Sequence, residues 1–377
     1  MIPGFATQEG TARYAERFPR LRAAGHFRQG PQAPAAGELW LSSIGLGTYL
    51  GEPTEAADQR YTEAIEEALR SGINLLDSAI NYRHQRSERN IGAALREMLD
   101  AGVRRDEVVV CTKAGYLSFD ADMPADAHAY FRKEYVEPGI LDPAEVAGGM
   151  HCMAPVFLAN QIERSRRNLG LETIDVFYVH NPESQLGAVP RQEFRRRLKS
   201  AFEMLEKAVA EGRIRYYGVA TWNAFRVPAG QEDGIDLADV VSLAREAGGD
   251  HHHFRFVQLP FNLGMPEAFA LRNQRAEGKA GAVLEVAPHL GVAVVGSATL
   301  YQGHLTRDLP PFIGERLGMP TDSASAIQFA RSAPGLATAL IGMSRREHVQ
   351  ENIKVASYPP TPPADWERLF APRTETS

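Results

Sequence analysis

Short runs of apolar and β-branched residues alternate along the chain with longer segments whose apolar positions recur at helical spacing. VVVCT (108–112) and DVFYV (175–179) are examples of the first kind. Continuous apolar runs suit strands buried on both faces, as in a parallel sheet. Of the second kind, Leu198, Ala201, Phe202, Leu205 and Val209 form one helical stripe, and Ile91, Leu95, Met98 and Leu99 a shorter one. Gly212 stands where a helix stop belongs, just before the next strand-like run. The pattern predicts eight strands, at 44–47, 74–77, 108–112, 176–179, 216–220, 256–258, 292–295 and 339–341, each followed by a helical segment. Eight such units predict an α/β fold of the (β/α)8 TIM-barrel type. A doubly wound sheet would need a Gly-rich phosphate loop after an early strand, and GLGTYLG (45–51) lacks the G-x-G-x-x-G spacing.

Two segments fall outside this rhythm. Residues 1–37, rich in Ala, Gly, Pro and Arg, show no sustained period and are expected to form an N-terminal arm over the barrel (38–377), ordered in part at most. The starts of the third and fourth strands, at 108 and 176, are 68 residues apart, far more than most others. This places an insertion at 114–154, between the third strand and its helix. In a barrel such a loop stands over the active-site mouth, so it is expected to form a substrate wall or lid.

Composition narrows the function. With 41 basic and 47 acidic side chains the chain carries a net charge of −6, which excludes a broad basic face for nucleic acid. The basic stretch RQEFRRRLK (191–199) opens a helical stripe and reads as its solvated start. Two cysteines, Cys111 and Cys152, make no disulfide framework and fit a reducing compartment. No apolar run is long enough to span a membrane, and the N-terminus lacks a signal-peptide pattern, so a cytoplasmic location is expected.

Barrel enzymes carry their chemistry at the C-terminal ends of the strands. Here Asp77 ends the second strand, with Tyr82 five residues on; Lys113 ends the third and His180 the fourth. These four, with SERNIGAAL (87–95), GRIRYYGVATWN (212–223), VQLPFN (257–262) and IGMSRREHVQENI (341–353), make the chain resemble the aldo-keto reductase family from about residue 40 to 356. The chemistry is coherent on its own terms. Hydride addition to a carbonyl leaves an alkoxide that needs a proton. A tyrosine can supply it when a nearby ammonium stabilises the phenolate. Tyr82 is therefore the candidate acid, Lys113 the cation, Asp77 its anchor, and His180 the group that orients the substrate oxygen.

The resemblance also implies an NADP(H) site. Ser344 and Arg345 match positions that meet the 2′-phosphate, and Glu351 and Asn352 those near the adenine, with His348 on the same helix. Arg345 favours NADPH over NADH, since a guanidinium suits a phosphate. Leu300 and Gly303, with Leu305, match the segment that wraps the pyrophosphate. The nicotinamide end departs from the family. Ala220 and Thr221 replace a Ser-Asn pair that grips the carboxamide, Gln258 keeps the third contact, and Ser297 stands where an aromatic usually underlies the ring. Tyr301 and Trp222 are the candidates to stack in its place.

The expected activity is NADPH-dependent reduction of an aldehyde or ketone to the alcohol. The alternatives are NADP-dependent oxidation of a sugar or hydroxy compound, and a nucleotide-sensing regulatory subunit with little turnover. The expected partner is a small carbonyl or sugar-like molecule, with no nucleic acid and no membrane; oligomeric state is left open. His128, His151, Cys152 and neighbouring aspartates show no zinc-type spacing, so no metal is expected. HHH (251–253) precedes a strand and belongs to a polar loop at the barrel's lower face.

Overall fold

Along each strand, alternate side chains point into the barrel and out toward the helices, so a run that is apolar throughout fills two cores at once. A computed structural model, describing residues 1–29, 39–228 and 230–370, shows this division. Eight parallel strands close in chain order: β1 (Ile44–Gly47), β2 (Leu75–Asp77), β3 (Val109–Ala114), β4 (Ile174–His180), β5 (Ile214–Ala220), β6 (Phe254–Pro260), β7 (Ala293–Ser297) and β8 (Leu336–Gly342). Val109, Cys111, Val176, Tyr178, Phe256 and Val295 pack inside the barrel. Val110, Phe177, Val179, Val257 and Val294 join the larger core beneath the helices.

The helices follow the strands as the periodicity predicts: α1 (Glu55–Arg70), α2 (Arg86–Asp100), α3 (Pro155–Leu169), α4 (Arg191–Ala210), α5 (Leu237–Gly248), the short α6 (Val283–Val286), α7 (Asp322–Ser332) and α8 (Arg346–Asn352). In α4, Leu198, Ala201, Phe202 and Leu205 are buried, and Gly212 beyond its end takes φ +71°, the left-handed conformation of a helix stop. The basic residues at its start are largely spoken for: Arg196 and Arg197 both pair with Glu193. In the loop before β6, His253 bonds Glu206 and His252 is buried.

Residues 1–29 are more ordered than their composition suggests. Gln8–Glu16 and Pro19–Ala23 are helical, and Phe27–Arg28 pairs with Leu41–Ser42. Burial without period explains why the sequence hid this: fully buried Tyr14 donates its hydroxyl to the Leu69 carbonyl, and Ala6 N–H donates to Asp175. Asp175 also accepts from Arg105 and from Val110 N–H, so this carboxylate ties the N-terminal segment to β3 and β4. Residues 30–37 of the expected arm lie outside the described residues.

The insertion leaves β3 at Gly115 and returns at Ala154, just before α3. Its two limbs are zipped by an antiparallel bridge between Tyr116 and His151, with Cys152 N–H donating to Gly115 O and Leu117 N–H to Met150 O. A short helix, Ala127–Phe131, and the turn that continues it hold aromatic residues; Phe119 stacks on Phe131, and Tyr135 packs on Phe157 of α3. No helix among the described residues is long and apolar enough to cross a membrane.

Candidate active site

The inward set of the strands turns polar at the C-terminal ends: Asp77, Lys113, His180, Gln258 and Ser297 continue the same faces as Leu75, Cys111, Tyr178, Phe256 and Val295. Register brings these ends side by side, since Asp77 pairs with Cys111, Lys113 with Tyr178, His180 with Ala220, and Ala220 with Gln258. A cavity of about 830 Å³ opens above them.

Lys113 sits beneath this cavity, fully buried, and donates to Asp77 Oδ2 (2.6 Å) and to the Ser78 carbonyl (2.7 Å). The other Asp77 oxygen accepts from Gln258 Nε2 at 2.8 Å. Burial works against the Lys113 charge, but the adjoining Asp77 carboxylate and Tyr82 phenol outweigh it and hold the ammonium's pKa above its usual value. Tyr82 lies in the turn after β2, whose Ser78 and Ile80 N–H groups bond to the Cys111 and Lys113 carbonyls. This stitching sets the Tyr82 ring 4.9 Å from Lys113 Nζ. Burial raises the phenol's pKa, the Lys113 charge pulls it back in part, and the group stays protonated at neutral pH.

Arg83, His84 and Gln85, immediately after Tyr82, all have positive φ (50°, 55° and 70°). Each such non-glycine residue costs roughly 1–2 kcal/mol. Arg83 offsets the cost by bonding Asp58, Asn90 and the Glu52 carbonyl, with its guanidinium over the Tyr61 ring.

His180 faces the Tyr82 ring edge-on, at 5.9 Å between centroids. Burial first, then the Lys113 charge, pushes its pKa well below the usual imidazole range, so it is neutral. Its Nδ1 is buried with no partner among the described residues. An orphaned lone pair costs less than an orphaned N–H, which assigns the proton to Nε2. The insertion adds a support that sequence reasoning missed. His151 Nδ1 accepts from Gln185 Nε2 (2.9 Å), so its Nε2 carries the hydrogen and donates to the His180 carbonyl (2.7 Å). A Cβ on Gly115 would come within 2.6 Å of that carbonyl and 2.8 Å of the His151 ring, so glycine there permits the contact.

Of the residues predicted to hold a cofactor, Thr221, Gln258, Ser297, Leu300, Gly303, Ser344, His348, Glu351 and Asn352 all line the same cavity as Asp77, Tyr82 and His180. Arg345 lies beside Ser344 but off the wall, exposed and with no ion pair among the described residues. Its neighbour Arg346 is paired with Glu67. Thr221 Oγ1 leans on the Gln258 carbonyl at 3.4 Å. Of the two stacking candidates, Trp222 lines the cavity, whereas Tyr301 is off its wall against His304. Trp222 is held from behind by Glu183, whose buried carboxylate accepts from Trp222 and Asn223 N–H groups. The wall residues that were missed include Tyr49 against the Tyr82 ring, Asn81 with a buried Oδ1 that has no partner among the described residues, Asn181, and Tyr116. Asn181 and Tyr116 bond each other at 3.0 Å. The available signal was adjacency, since Asn81 precedes Tyr82 and Asn181 follows His180. Among the described residues no group of three or more His, Cys, Asp or Glu could hold a metal.

The model of the aldo/keto reductase family matches residues 43–371. The chain belongs to this family. A "D-threo-aldose 1-dehydrogenase" from a Pseudomonas species is 27% identical over 87% of this chain and 92% of its own length. A Schizosaccharomyces pombe protein named "Putative voltage-gated potassium channel subunit beta" is 23% identical over 85% of this chain and 86% of its own. Among solved structures, an aldo/keto reductase from Klebsiella pneumoniae in complex with NADP and acetate superposes with a TM-score of 0.58 at 20% identity, covering 90% of this chain and 95% of the other. The holo form of an aldo-keto reductase from Bacillus halodurans gives 0.59 at 19%, covering 93% and 98%. These structural likenesses establish the shared barrel.

Proposed function

We propose that this aldo/keto reductase uses NADP(H) to interconvert a small carbonyl compound and its alcohol, with Tyr82 as the proton-transferring group. The observation that carries the reading is the closed end of the cavity. There a protonated phenol stands between a buried, anchored ammonium and a neutral histidine.

The cavity suits the cofactor. Its volume, about 830 Å³, is within the range of sites for small molecules and cofactors. It runs from Tyr82 and His180 to Glu351 and Asn352, past the turn at Ala298–Gly303, where Ala298, Tyr301, Gln302 and Gly303 have positive φ. Among the described residues Thr299 Oγ1 in that turn is buried without a partner, and Arg345, beside Ser344 and off the wall, has no ion pair. Ser344 and Arg345 would hold a 2′-phosphate, Glu351 and Asn352 the adenosine, Leu300 and Gly303 the pyrophosphate, and Thr221 and Gln258 the carboxamide. The bound nucleotide supplies or accepts a hydride.

The chain's own residues do the rest. His180 donates from Nε2 to the substrate oxygen and fixes its direction. Tyr82 gives that oxygen a proton as negative charge develops on it, and Lys113 steadies the phenolate left behind. Asp77 and Gln258 keep the ammonium in place. In the oxidative direction the same groups run in reverse, and the likeness to an aldose dehydrogenase makes a sugar alcohol or hydroxy compound the second substrate to assay.

Tyr82→Phe tests the role. Turnover is expected to fall by about 10²–10⁴-fold, the usual share of a general acid, while NADPH affinity changes only a few fold. Full activity in that variant overturns the assignment. Purified wild-type chain that binds NADPH yet turns over neither aldehydes nor alcohols would instead favour the nucleotide-sensing role.

A further inference from the structure

On the outside of the barrel, between α2 and α3, lies a second concavity of about 510 Å³. Four arginines line it, Arg89 and Arg96 from α2 and Arg164 and Arg167 from α3, over a floor of Gln85 and Asn168. Asp120, from the insertion, is the one carboxylate on its wall. In a chain of net charge −6, this is a local excess of positive charge on a concave polar surface.

Two of the arginines are fixed. Arg89 pairs with Asp120 and bonds Asn168 Oδ1 (3.1 Å), and Arg164 pairs with Glu134 and bonds Asn160 Oδ1 (2.7 Å). The other two, Arg96 and Arg167, are exposed, and their guanidiniums have neither ion pair nor hydrogen bond among the described residues. Glu163 stands four residues before Arg167, where a helical ion pair would form, but it is engaged by Arg166 and Arg213. The concavity thus combines two held guanidiniums with two free ones. Planar guanidinium forks match a tetrahedral oxyanion, and a doubly charged one offsets the mutual repulsion of the four best.

We propose that this concavity is a binding site for a phosphate dianion, either free or as a phosphomonoester, separate from the cofactor cavity. Its floor connects it to the reactive loop. Asn168 Nδ2 donates to Gln85 Oε1 (3.0 Å) and to Glu88 Oε2 (2.8 Å), and Glu88 Oε1 accepts from Thr112 next to Lys113 (2.6 Å). Gln85 is the last of the three left-handed residues after Tyr82. An anion that draws in Arg89 therefore acts on the Asn168–Gln85 contact and stiffens the segment bearing Tyr82. That consequence rests on the oxidoreductase reading; the binding does not.

The test is calorimetric titration of the full chain with inorganic phosphate in an Arg345→Gln background, which removes the guanidinium expected to attract phosphate in the cofactor cavity. A phosphomonoester, glycerol phosphate, is titrated in parallel to separate a free-anion site from a monoester site. One saturable site is expected, weakened tenfold or more by the added pair Arg96→Gln and Arg167→Gln. Both side chains are exposed on helix surfaces, and circular dichroism would verify that the fold is kept. Absence of saturation by either probe, or saturation that the added pair leaves unchanged, overturns the proposal. Because the readout is binding heat, failure here is distinct from failure of the Tyr82 assignment.

Discussion

The Asp77–Lys113 pair at the closed end of the cavity and the wall that leads away from it differ in how much of their hydrogen bonding the fold has already used. At the closed end both Asp77 oxygens have donors and Lys113 has two acceptors, so the protein alone sets the geometry. Toward the other end, among the described residues, Arg345 beside the wall has no ion pair and Thr299 Oγ1 no partner, and Ala220 carries no polar side chain. The closed end is preorganised for chemistry, and the wall keeps its polar capacity for a ligand. Damage at the first end should therefore unsettle the protein itself, and damage at the second should be seen only when nucleotide binds.

The largest expected effect comes from Lys113→Met. It removes the cation proposed to steady a Tyr82 phenolate and leaves Asp77 buried without its ion pair. Breaking a buried pair from one side costs about 3–5 kcal/mol, visible as a lower denaturant midpoint, and activity should fall with it. The double variant Asp77→Asn with Lys113→Met should recover much of the stability and none of the activity. If the single variant is as stable as wild type, the closed end is not the rigid unit described.

Arg345→Gln probes the opposite end. Loss of a charge-assisted contact worth about 1.5–3 kcal/mol should raise the NADPH dissociation constant roughly 10- to 150-fold. NADH affinity and the unfolding midpoint should hardly move. Equal weakening of both nucleotides would place the 2′-phosphate elsewhere.

What the sequence disclosed follows the same division between self-contained and relational features. The eight strands were legible because most of their residues are buried on both faces and so read as short, largely apolar runs. The apolar runs stop at 112 and 179. Lys113 and His180, read as the polar residues ending them, lie within β3, which runs to Ala114, and β4, which ends at His180, where they complete an inward face. The insertion was located by interval alone, but its attachment was not legible. The His151–His180 bond joins residues 29 apart and depends on Gly115 having no side chain. Tyr14 was hidden in the same way, since its carbonyl partner, Leu69, is 55 residues distant. Asp77, Lys113 and His180 were legible as polar residues ending apolar runs, with Tyr82 five residues beyond the first. Ser344, His348, Glu351 and Asn352, which line the same cavity as Asp77, Tyr82 and His180, came from the family resemblance and not from periodicity.

His151 belongs to the closed end but enters from the insertion, so its removal should have an intermediate effect. His151→Phe loses the bond to the His180 carbonyl, and a fall in kcat of about tenfold is expected from one lost hydrogen bond of ordinary strength, with NADPH affinity unchanged. His151→Gln, whose amide can still donate, should recover part of it. Burial lowers the His151 pKa to about 4 from the usual 6.5. Between those values the unfolded chain binds a proton that the folded chain refuses, so its contribution to stability is complete above pH 6.5 and lost as the pH falls toward 4. His26 and His252, at about 3 and about 4, act in the same direction. Unfolding midpoints at pH 7 and pH 5 should therefore differ less in His151→Phe than in wild type. An unchanged difference would mean that His151 titrates normally.

The smallest effect, and the finest test of the contrast, is expected from Ala220→Ser. Ala220 pairs in register with His180 and Gln258 and lines the cavity on the side where the carboxamide would sit. Gln258 already spends one of its two amide N–H groups on Asp77, and Thr221 leans on a backbone carbonyl, so this wall has few free donors. One added hydroxyl facing a ligand is worth about 0.5–1.5 kcal/mol, or roughly 2- to 12-fold in affinity. The gain should be equal for NADPH and NADH, since the nicotinamide is common to both, in contrast to the discrimination lost in Arg345→Gln. The two changes act at opposite ends of one ligand with no shared protein partner, so their effects on NADPH binding should add. A serine that tightens neither nucleotide would show that the carboxamide is not seated against Ala220. Asn81, whose Oδ1 has no partner among the described residues, and Asn181, on the same cavity, would then be the groups to substitute next.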